Sequence, residues 1–451
     1  MRRLLLVSYF FPPAAGGGVA RALSFARYLP LHGWQVSVIC ADPEAAPLRD
    51  ASRAARLPEG VEVLPVPMPG GFALGRRAVL GRAGSGRPSG LYRAARALAA
   101  WGLVPDSYAP WRGAAVRSAA ARLARGGIDA VLTSSPPDTV HLVGLDLKRA
   151  GGPPWVADFR DPWVGLTYRR PPTAWHAARH RALRGAVLAG ADRVLATTHA
   201  AAGIFRALLG PAGADRVAVL PNGWEADAET PAPAVAPGPT PVPGDATLRL
   251  VYTGTLWDVP ATGACLAGLA RARAAQPGAA VGLDLVGPHE SGEPRFAARL
   301  GLEDVVRFHG QVPYARSRAL QAAADVLLLL QVHGPGYEAA IPGKLYEYLA
   351  ADRPILAFLP AGEAADLVRQ AGGWVVAPGD EPAAAEAFAR LLRGERPAGG
   401  SEPRRALADA HRRDRITADL ARLLDGLPAG PPTAGSRGAA TAGAPGAGAD
   451  R

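Results

Sequence analysis

Short, continuous apolar runs alternate with longer stretches of helical spacing along most of this chain. Residues 4–9 form the first run, and residues 19–29 place apolar and small residues at helical intervals behind it. Residues 36–40, 61–66, 130–133, 155–158, 193–197 and 217–221 read as further strands, with helices expected over 91–100 and 111–125. Apolar runs this short mark strands buried on both faces, and their alternation with helices predicts a parallel, doubly wound sheet. Residues 226–246 are dominated by Pro, Ala and Gly and read as a linker. The alternation then restarts, with strands expected at 248–252, 282–286, 305–309, 325–332, 354–358 and 373–376 and closing helices at 382–393 and 403–424.

The expected class is therefore α/β, with two Rossmann-like, doubly wound parallel-sheet domains and a ligand cleft where they meet. The divisions are an N-terminal domain over 1–225, the linker over 226–246, a C-terminal domain over 247–400, a closing helix over 401–426 and a tail over 427–451. That tail is Gly, Ala and Pro with little to bury, and disorder is expected there. Residues 69–90, rich in Gly, Arg and Pro, read as a mobile excursion.

Composition narrows the class. A chain of 451 residues, 49% apolar and 20% charged, has ample material for two cores. Cys40 and Cys265 lie far apart and form no metal or redox motif, which suits a reducing, cytoplasmic setting. No apolar run reaches the ~20 residues of a membrane helix. Met1-Arg2-Arg3 followed by an apolar run imitates a signal peptide, but Pro12-Pro13 and a glycine cluster come next, which favours a buried first strand. The net charge of +11 is uneven: residues 1–225 hold 28 Lys+Arg against 14 Asp+Glu, net +14. That half suits an anionic bilayer face, a phosphorylated lipid or a dispersed arginine-rich surface. It carries no nucleic-acid-binding signature, and no nucleic-acid partner is expected.

The densest chemistry lies in Ile341-Pro342-Gly343-Lys344-Leu345-Tyr346-Glu347-Tyr348-Leu349-Ala350. It enters a helix at the carboxyl end of a strand, where open α/β sheets bind ligands. Pro342 suits the first helical turn, and Leu345 and Leu349 would face the core. A helix start attracts anions, Lys344 adds a full charge, and Glu347 one turn on can accept from a pair of hydroxyls. Diphosphate followed by a ribose diol describes a nucleotide; the plainer alternative is an exposed Lys–Glu helix pair. Of 50 basic residues only Lys148 and Lys344 are lysines.

Other loops carry weaker signals. Pro12–Gly18 is a glycine-rich strand-to-helix turn, though not a strict dinucleotide fingerprint, since Arg21 holds its last glycine position. His141 starts a helix after Ser134-Ser135-Pro136-Pro137; it is a candidate acid/base group or a structural histidine. In Asp158-Phe159-Arg160-Asp161-Pro162-Trp163, charges crowd a strand end, so Arg160 can hold an anion and Asp161 can accept a proton, or an Arg–Asp pair braces the fold. Thr253-Gly254 and Phe308-His309-Gly310-Gln311 end strands where a phosphate or a flat base could approach backbone.

In this order the motifs resemble the retaining glycosyltransferases of family 4, of GT-B fold, in the branch that builds surface polysaccharides; the likeness spans residues 1 to about 395. The resemblance implies a UDP-, GDP- or dTDP-sugar bound in the C-terminal domain and a glycan or lipid-linked acceptor in the N-terminal one, with transfer by retention, no cofactor and no metal. It implies donor contacts at Gly17, Gly18, Gly254, Gly310, Glu338, Lys344 and Glu347, and catalytic or orienting roles for Asp161, His141 and Arg160. A cytoplasmic location, peripheral at the inner membrane face, goes with it. Two positions depart from the family pattern. Ala339 stands where a glutamate eight residues before Glu347 is common, with Glu338 one out of register, and residues 256–260 lack an arginine–lysine pair. The alternatives are a sugar-nucleotide epimerase on the same fold and a non-catalytic nucleotide-sugar-binding scaffold.

Overall fold

The computed structural model describes residues 1–14, 17–43, 49–50, 56–69, 101–163, 171–226, 248–256, 260–289, 292–331, 334 and 336–428. The expected excursion beyond residue 69, the helix at 91–100, the linker from 227 and the tail from 429 lie outside these residues.

Among the described residues, the N-terminal half forms a seven-stranded sheet of β1 (Arg2–Val7), β2 (Trp34–Ala41), β3 (Glu62–Val66), β4 (Ala130–Ser135), β5 (Trp155–Phe159), β6 (Arg193–Ala196) and β7 (Val217–Val219), in the order β3-β2-β1-β4-β5-β6-β7. Every neighbouring pair is parallel. The helices are α1 (Gly17–Tyr28), α2 (Arg112–Ala124), α3 (Thr139–Arg149), α4 (Ala174–Gly190) and α5 (His199–Leu209). The second half repeats the plan with six parallel strands: β8 (Leu248–Thr253), β9 (Val281–Val286), β10 (Val306–Gly310), β11 (Val326–Leu330), β12 (Ile355–Phe358) and β13 (Trp374–Val376), ordered β10-β9-β8-β11-β12-β13. Its helices are α6 (Pro260–Ala275), α7 (Gly292–Arg299), α8 (Tyr314–Ala322), α9 (Gly343–Ala350), α10 (Glu363–Gln370) and α11 (Glu381–Leu392), followed by α12 (Glu402–Ala410) and α13 (Arg413–Asp425).

The strands form because their residues bury both faces. Leu4, Leu5, Leu6 and Val7 are fully enclosed, as are Val326 to Leu329. Helix starts are set by side-chain caps: Thr173, Thr198, Asp380 and Ser401 each accept from a backbone N–H in the first turn. The strand order reverses between β1 and β4 and again between β8 and β11. Ligand crevices form at such switch points, and the loops leaving these four strands are those carrying Pro12–Gly18, Ser134–His141, Thr253-Gly254 and Pro342–Glu347.

Two expectations are corrected. Pro342 is not in the first helical turn; it is the N-cap of α9, with ψ at 126° and its carbonyl accepting from Leu345 N–H at 2.9 Å. The closing helix expected over 403–424 is two helices, because the Trp224 backbone enters between them. Trp224 N–H donates to the His411 carbonyl and Arg413 N–H donates to the Trp224 carbonyl, both at 3.0 Å. Gly223 permits this approach, since a Cβ there would lie 2.1 Å from the His411 oxygen. α13 then lies on the N-terminal half, where Ile416, Leu420 and Leu424 join the core of Leu4, Leu6, Phe25 and Val36. Leu427, expected to open the disordered tail, is buried in that same core.

Arg21 on α1 ties this half together. It is 2% exposed and forms a bidentate pair with Asp158, 0% exposed, at 2.9 and 2.7 Å. Its remaining donors reach the carbonyls of Leu220 and Pro221 at 2.9 and 2.7 Å and Asn222 Oδ1 at 3.3 Å, while Ser134 donates to Asp158 at 2.7 Å. The brace foreseen at the end of β5 thus pairs Asp158 with Arg21 rather than with Arg160. Asp158→Ala would leave a buried guanidinium without its counter-charge, and a loss of ~3–5 kcal/mol is expected in denaturant unfolding. A variant as stable as the parent would show that the pair braces nothing.

Candidate functional site

Lys344 lies one residue inside α9, half-buried, with Nζ 2.6 Å from the Tyr252 hydroxyl and 4.0 Å from that ring's centroid. Tyr252 is buried, donates to the Thr255 carbonyl at 2.8 Å, and is held well above the usual phenol range by burial, so it offers Lys344 no negative charge. Burial pushes the Lys344 ammonium down to about 7, with Glu347 opposing. Gly254 stands against the amine: its φ is +140°, and a Cβ there would lie 2.2 Å from Lys344 Nζ. Gly287 meets Gly254 backbone to backbone, with a Cβ position 2.1 Å from the Gly254 oxygen, and its N–H donates to the Gly310 carbonyl at 2.8 Å. Three adjacent strand ends are thus stripped of side chains beside one amine. Such a surface admits a ligand against backbone.

Glu347 is oriented by its neighbours. Its carboxylate accepts from Tyr314 Oη at 3.2 Å and from Gln321 Nε2 at 3.3 Å. Gln321, buried, also donates to Thr253 Oγ1 at 3.1 Å, and Tyr348 Oη accepts from Thr253 N–H at 2.8 Å. The network fixes the carboxylate one turn beyond Lys344. Glu338 lies elsewhere, in the 3-10 turn Tyr337–Ala339, where its carboxylate accepts from Gly336 N–H at 2.8 Å.

On the N-terminal side, Gly17 and Gly18 open α1. A Cβ on Gly18 would lie 3.2 Å from the Phe10 ring and 3.4 Å from Arg160 Nη1. Arg160 and Asp161 are neighbours, 3.8 Å apart at their charged ends, both partly exposed. These residues form a second group. His141 is apart from them: it is fully buried, its Nδ1 lies 2.8 Å from Thr133 Oγ1, and its ring packs 4.1 Å from Phe159.

The two halves meet at specific bonds. Thr198 Oγ1 donates to the Ala339 carbonyl at 2.7 Å, and Glu363 accepts from His199 and Ala200 N–H at 3.0 and 2.6 Å. A carboxylate of one half therefore caps the first turn of α5 in the other. Arg413, at the start of α13, is held below the usual arginine range by burial. The opposing charge of Glu225 and the like charge of Arg21 act on it from the N-terminal half, and Glu347 and Tyr314 act from the C-terminal half.

This arrangement can be compared with known proteins. Residues 16–223 match the family model for a glycosyl transferase 4-like domain, and residues 247–394 match that for glycosyl transferases group 1. The chain belongs to the glycosyltransferases. Solved structures share the GT-B architecture over nearly the whole length. Anabaena HepE in complex with UDP-glucose is 17% identical, with a TM-score of 0.62 over 95% of this chain and 100% of that one. Sucrose-phosphate synthase from Thermosynechococcus elongatus is 18% identical, with a TM-score of 0.61 over 94% and 98%. WaaG, a glycosyltransferase involved in lipopolysaccharide biosynthesis, is 17% identical, with a TM-score of 0.56 over 94% and 100%. No curated protein matches the sequence significantly.

In this glycosyltransferase, sequence reasoning missed Tyr252, Gly287, Tyr314, Gln321, Glu363 and Arg413. All reach the cleft from other elements, and only Gly287, at the end of an apolar run, carried a local signal. Glu363→Ala is expected to loosen the contact between the halves. Hydrogen exchange at the His199 and Ala200 amides should then accelerate by about tenfold or more. Unchanged protection would show that Glu363 does not hold α5.

Proposed function

We propose that this glycosyltransferase moves a sugar, with retention and without a metal, from a UDP-, GDP- or dTDP-sugar to a glycan or lipid-linked saccharide at the cytoplasmic face of a membrane. The observation that carries the reading is the Lys344 amine set against the bare backbone of Gly254 and Gly287, one helical turn from the oriented carboxylate of Glu347. HepE with bound UDP-glucose, on the same fold, supports the donor class.

In this reading the diphosphate lies at the start of α9 against Lys344 and the backbone near Gly254, and the ribose diol donates to Glu347. Charge developing on the leaving diphosphate is stabilised by the helix start and the protonated lysine. Gly17 and Gly18 let the first turn of α1 approach the transferred sugar, with Arg160 and Asp161 beside it to orient donor and acceptor hydroxyl. The acceptor attacks from the face the diphosphate leaves, and its proton passes to a phosphate oxygen. His141 acts at one remove, holding the wall formed by Phe159. Glu338 reaches the sugar only if its turn opens.

Incubation with a panel of nucleotide sugars tests the class. Slow donor hydrolysis and transfer surviving EDTA are expected. Interconversion of the sugar would indicate an epimerase, and binding without turnover a scaffold. Glu347→Ala is expected to weaken nucleotide-sugar binding by ~1.5–3 kcal/mol, about ten- to a hundredfold. Full affinity in the folded variant would remove Glu347 from the site.

Lys344 adds a pH signature. Its folded pKa of about 7 leaves the free amine protonated below that value and neutral above it. A nucleotide sugar, whose diphosphate diester keeps its charge throughout, favours the protonated form. Affinity should therefore be fullest below pH 7 and fall by up to about tenfold per unit above it, with proton uptake in calorimetry. Lys344→Met should bind weakly with a flat profile. A sloping profile in that variant would assign the titration to another group.

A further inference from the structure

Two tryptophans distant in sequence stand together at the surface of the N-terminal half. Trp101 is 60% and Trp175 65% exposed, whereas Trp34, Trp111, Trp155 and Trp163 are fully enclosed. His176, buried, holds the pair. Its ring meets Trp101 at 5.5 Å and Trp175 at 4.8 Å, both edge-on, and its Nε2 lies 3.1 Å from the Trp101 carbonyl. Its Nδ1 lies 2.8 Å from Thr173 Oγ1, the cap of α4. Both indoles are thus fixed outward by a buried bracket, an arrangement that gives the core nothing.

The charge around them is one-sided. Trp175, Arg179 and Arg181 are exposed on α4, with Ala178, Ala182, Gly185 and Ala189 as their exposed neighbours. Residues 69–102 and 162–191, which contain the two tryptophans, hold eleven arginines and no aspartate or glutamate. They supply much of the N-terminal excess of 28 Lys+Arg over 14 Asp+Glu.

We propose that this face docks on an anionic lipid bilayer, with Trp101 and Trp175 entering the headgroup layer and the arginines meeting lipid phosphates. Indole rings prefer that layer, having an apolar body and one N–H donor. Stable attachment without a spanning segment needs an apolar anchor and a basic patch together, and both are present here. No helix among the described residues is long and apolar enough to cross a membrane. A second copy of the chain is disfavoured as occupant, since arginines would face arginines with no carboxylate between. A neutral glycan would use the rings and leave the charge without purpose. The surface is also linked to the cleft. Trp163 Nε1 donates to His180 Nδ1 on α4 at 3.1 Å, four residues after Asp158-Phe159-Arg160-Asp161 begins to turn from the sheet. Docking along α4 would therefore hold the acceptor side of the proposed site toward the bilayer.

The inference names the surface behind the membrane location proposed above, and flotation of the full chain with vesicles separates the two. Phosphatidylcholine vesicles containing phosphatidylglycerol should bind the protein at low salt, and phosphatidylcholine alone should not. Trp101→Ala/Trp175→Ala should lower the bound fraction by about tenfold, and Arg179→Glu/Arg181→Glu should remove the salt-sensitive part, both with the parent's circular dichroism and nucleotide affinity. If the parent fails to float, the membrane location itself falls. If the parent floats and both variants float equally, the location stands and this face is wrong. A change of oligomeric state in the tryptophan variant, with flotation unchanged, would assign the face to a second copy.

Discussion

The placement of the N-terminal loops depends on one buried guanidinium. Arg21 joins α1 to the end of β5 through Asp158 and to the exit of the sheet through Leu220, Pro221 and Asn222. A buried ion pair yields little net stability against an apolar replacement, so its value lies in where it fixes the chain. It sets the start of α1, hence Gly18 against Arg160, and it sets the turn from which Gly223 and Trp224 enter the break between α12 and α13. The C-terminal helix reaches the first sheet because that turn is anchored.

The C-terminal site follows a different constraint, the removal of side chains. Gly254 and Gly287 have φ values of +140° and +137° and approach each other more closely than any residue with a Cβ could. That geometry is compatible with a six-stranded sheet only at strand ends, where ladder bonds have stopped. The open backbone and the amine of Lys344 are consequently products of one topological fact, the reversal between β8 and β11.

The strands were legible in the sequence nearly to the residue because a strand covered on both faces must be a short, continuous apolar run. The Lys344–Glu347 helix was legible because cap, charge and apolar face are local. What was not legible depends on distant chain. The break in the closing helix comes from Trp224, far upstream, and the pairing of Asp158 with Arg21 rather than its neighbour Arg160 depends on β1 and β5 being brought close by the sheet. His141, attractive as a lone polar residue beside Pro136-Pro137, is fully enclosed between Thr133 and Phe159, an outcome set by the packing of α3 on the sheet. Tyr314 and Gln321 sit on a helix whose local pattern gives no hint that it faces Glu347.

The lysine itself can now be given a reason. The chain uses arginine for 48 of its 50 basic residues, and its other lysine, Lys148, makes an ordinary ion pair with Asp192 at 2.7 Å. Arg21 can be arginine because carboxylate and carbonyls satisfy its fork. At position 344 the only close partner is a neutral phenol, and the space above Gly254 is already filled by a single amine. An arginine there would remain charged while enclosed and would need room for a planar fork. A lysine can shed its proton when the site is empty and regain it when a diphosphate arrives, so burial does not commit the fold to an uncompensated charge. The rarity of lysine elsewhere in the chain and the depressed pKa at this position therefore have one explanation: the site requires a basic group whose charge is conditional on its ligand.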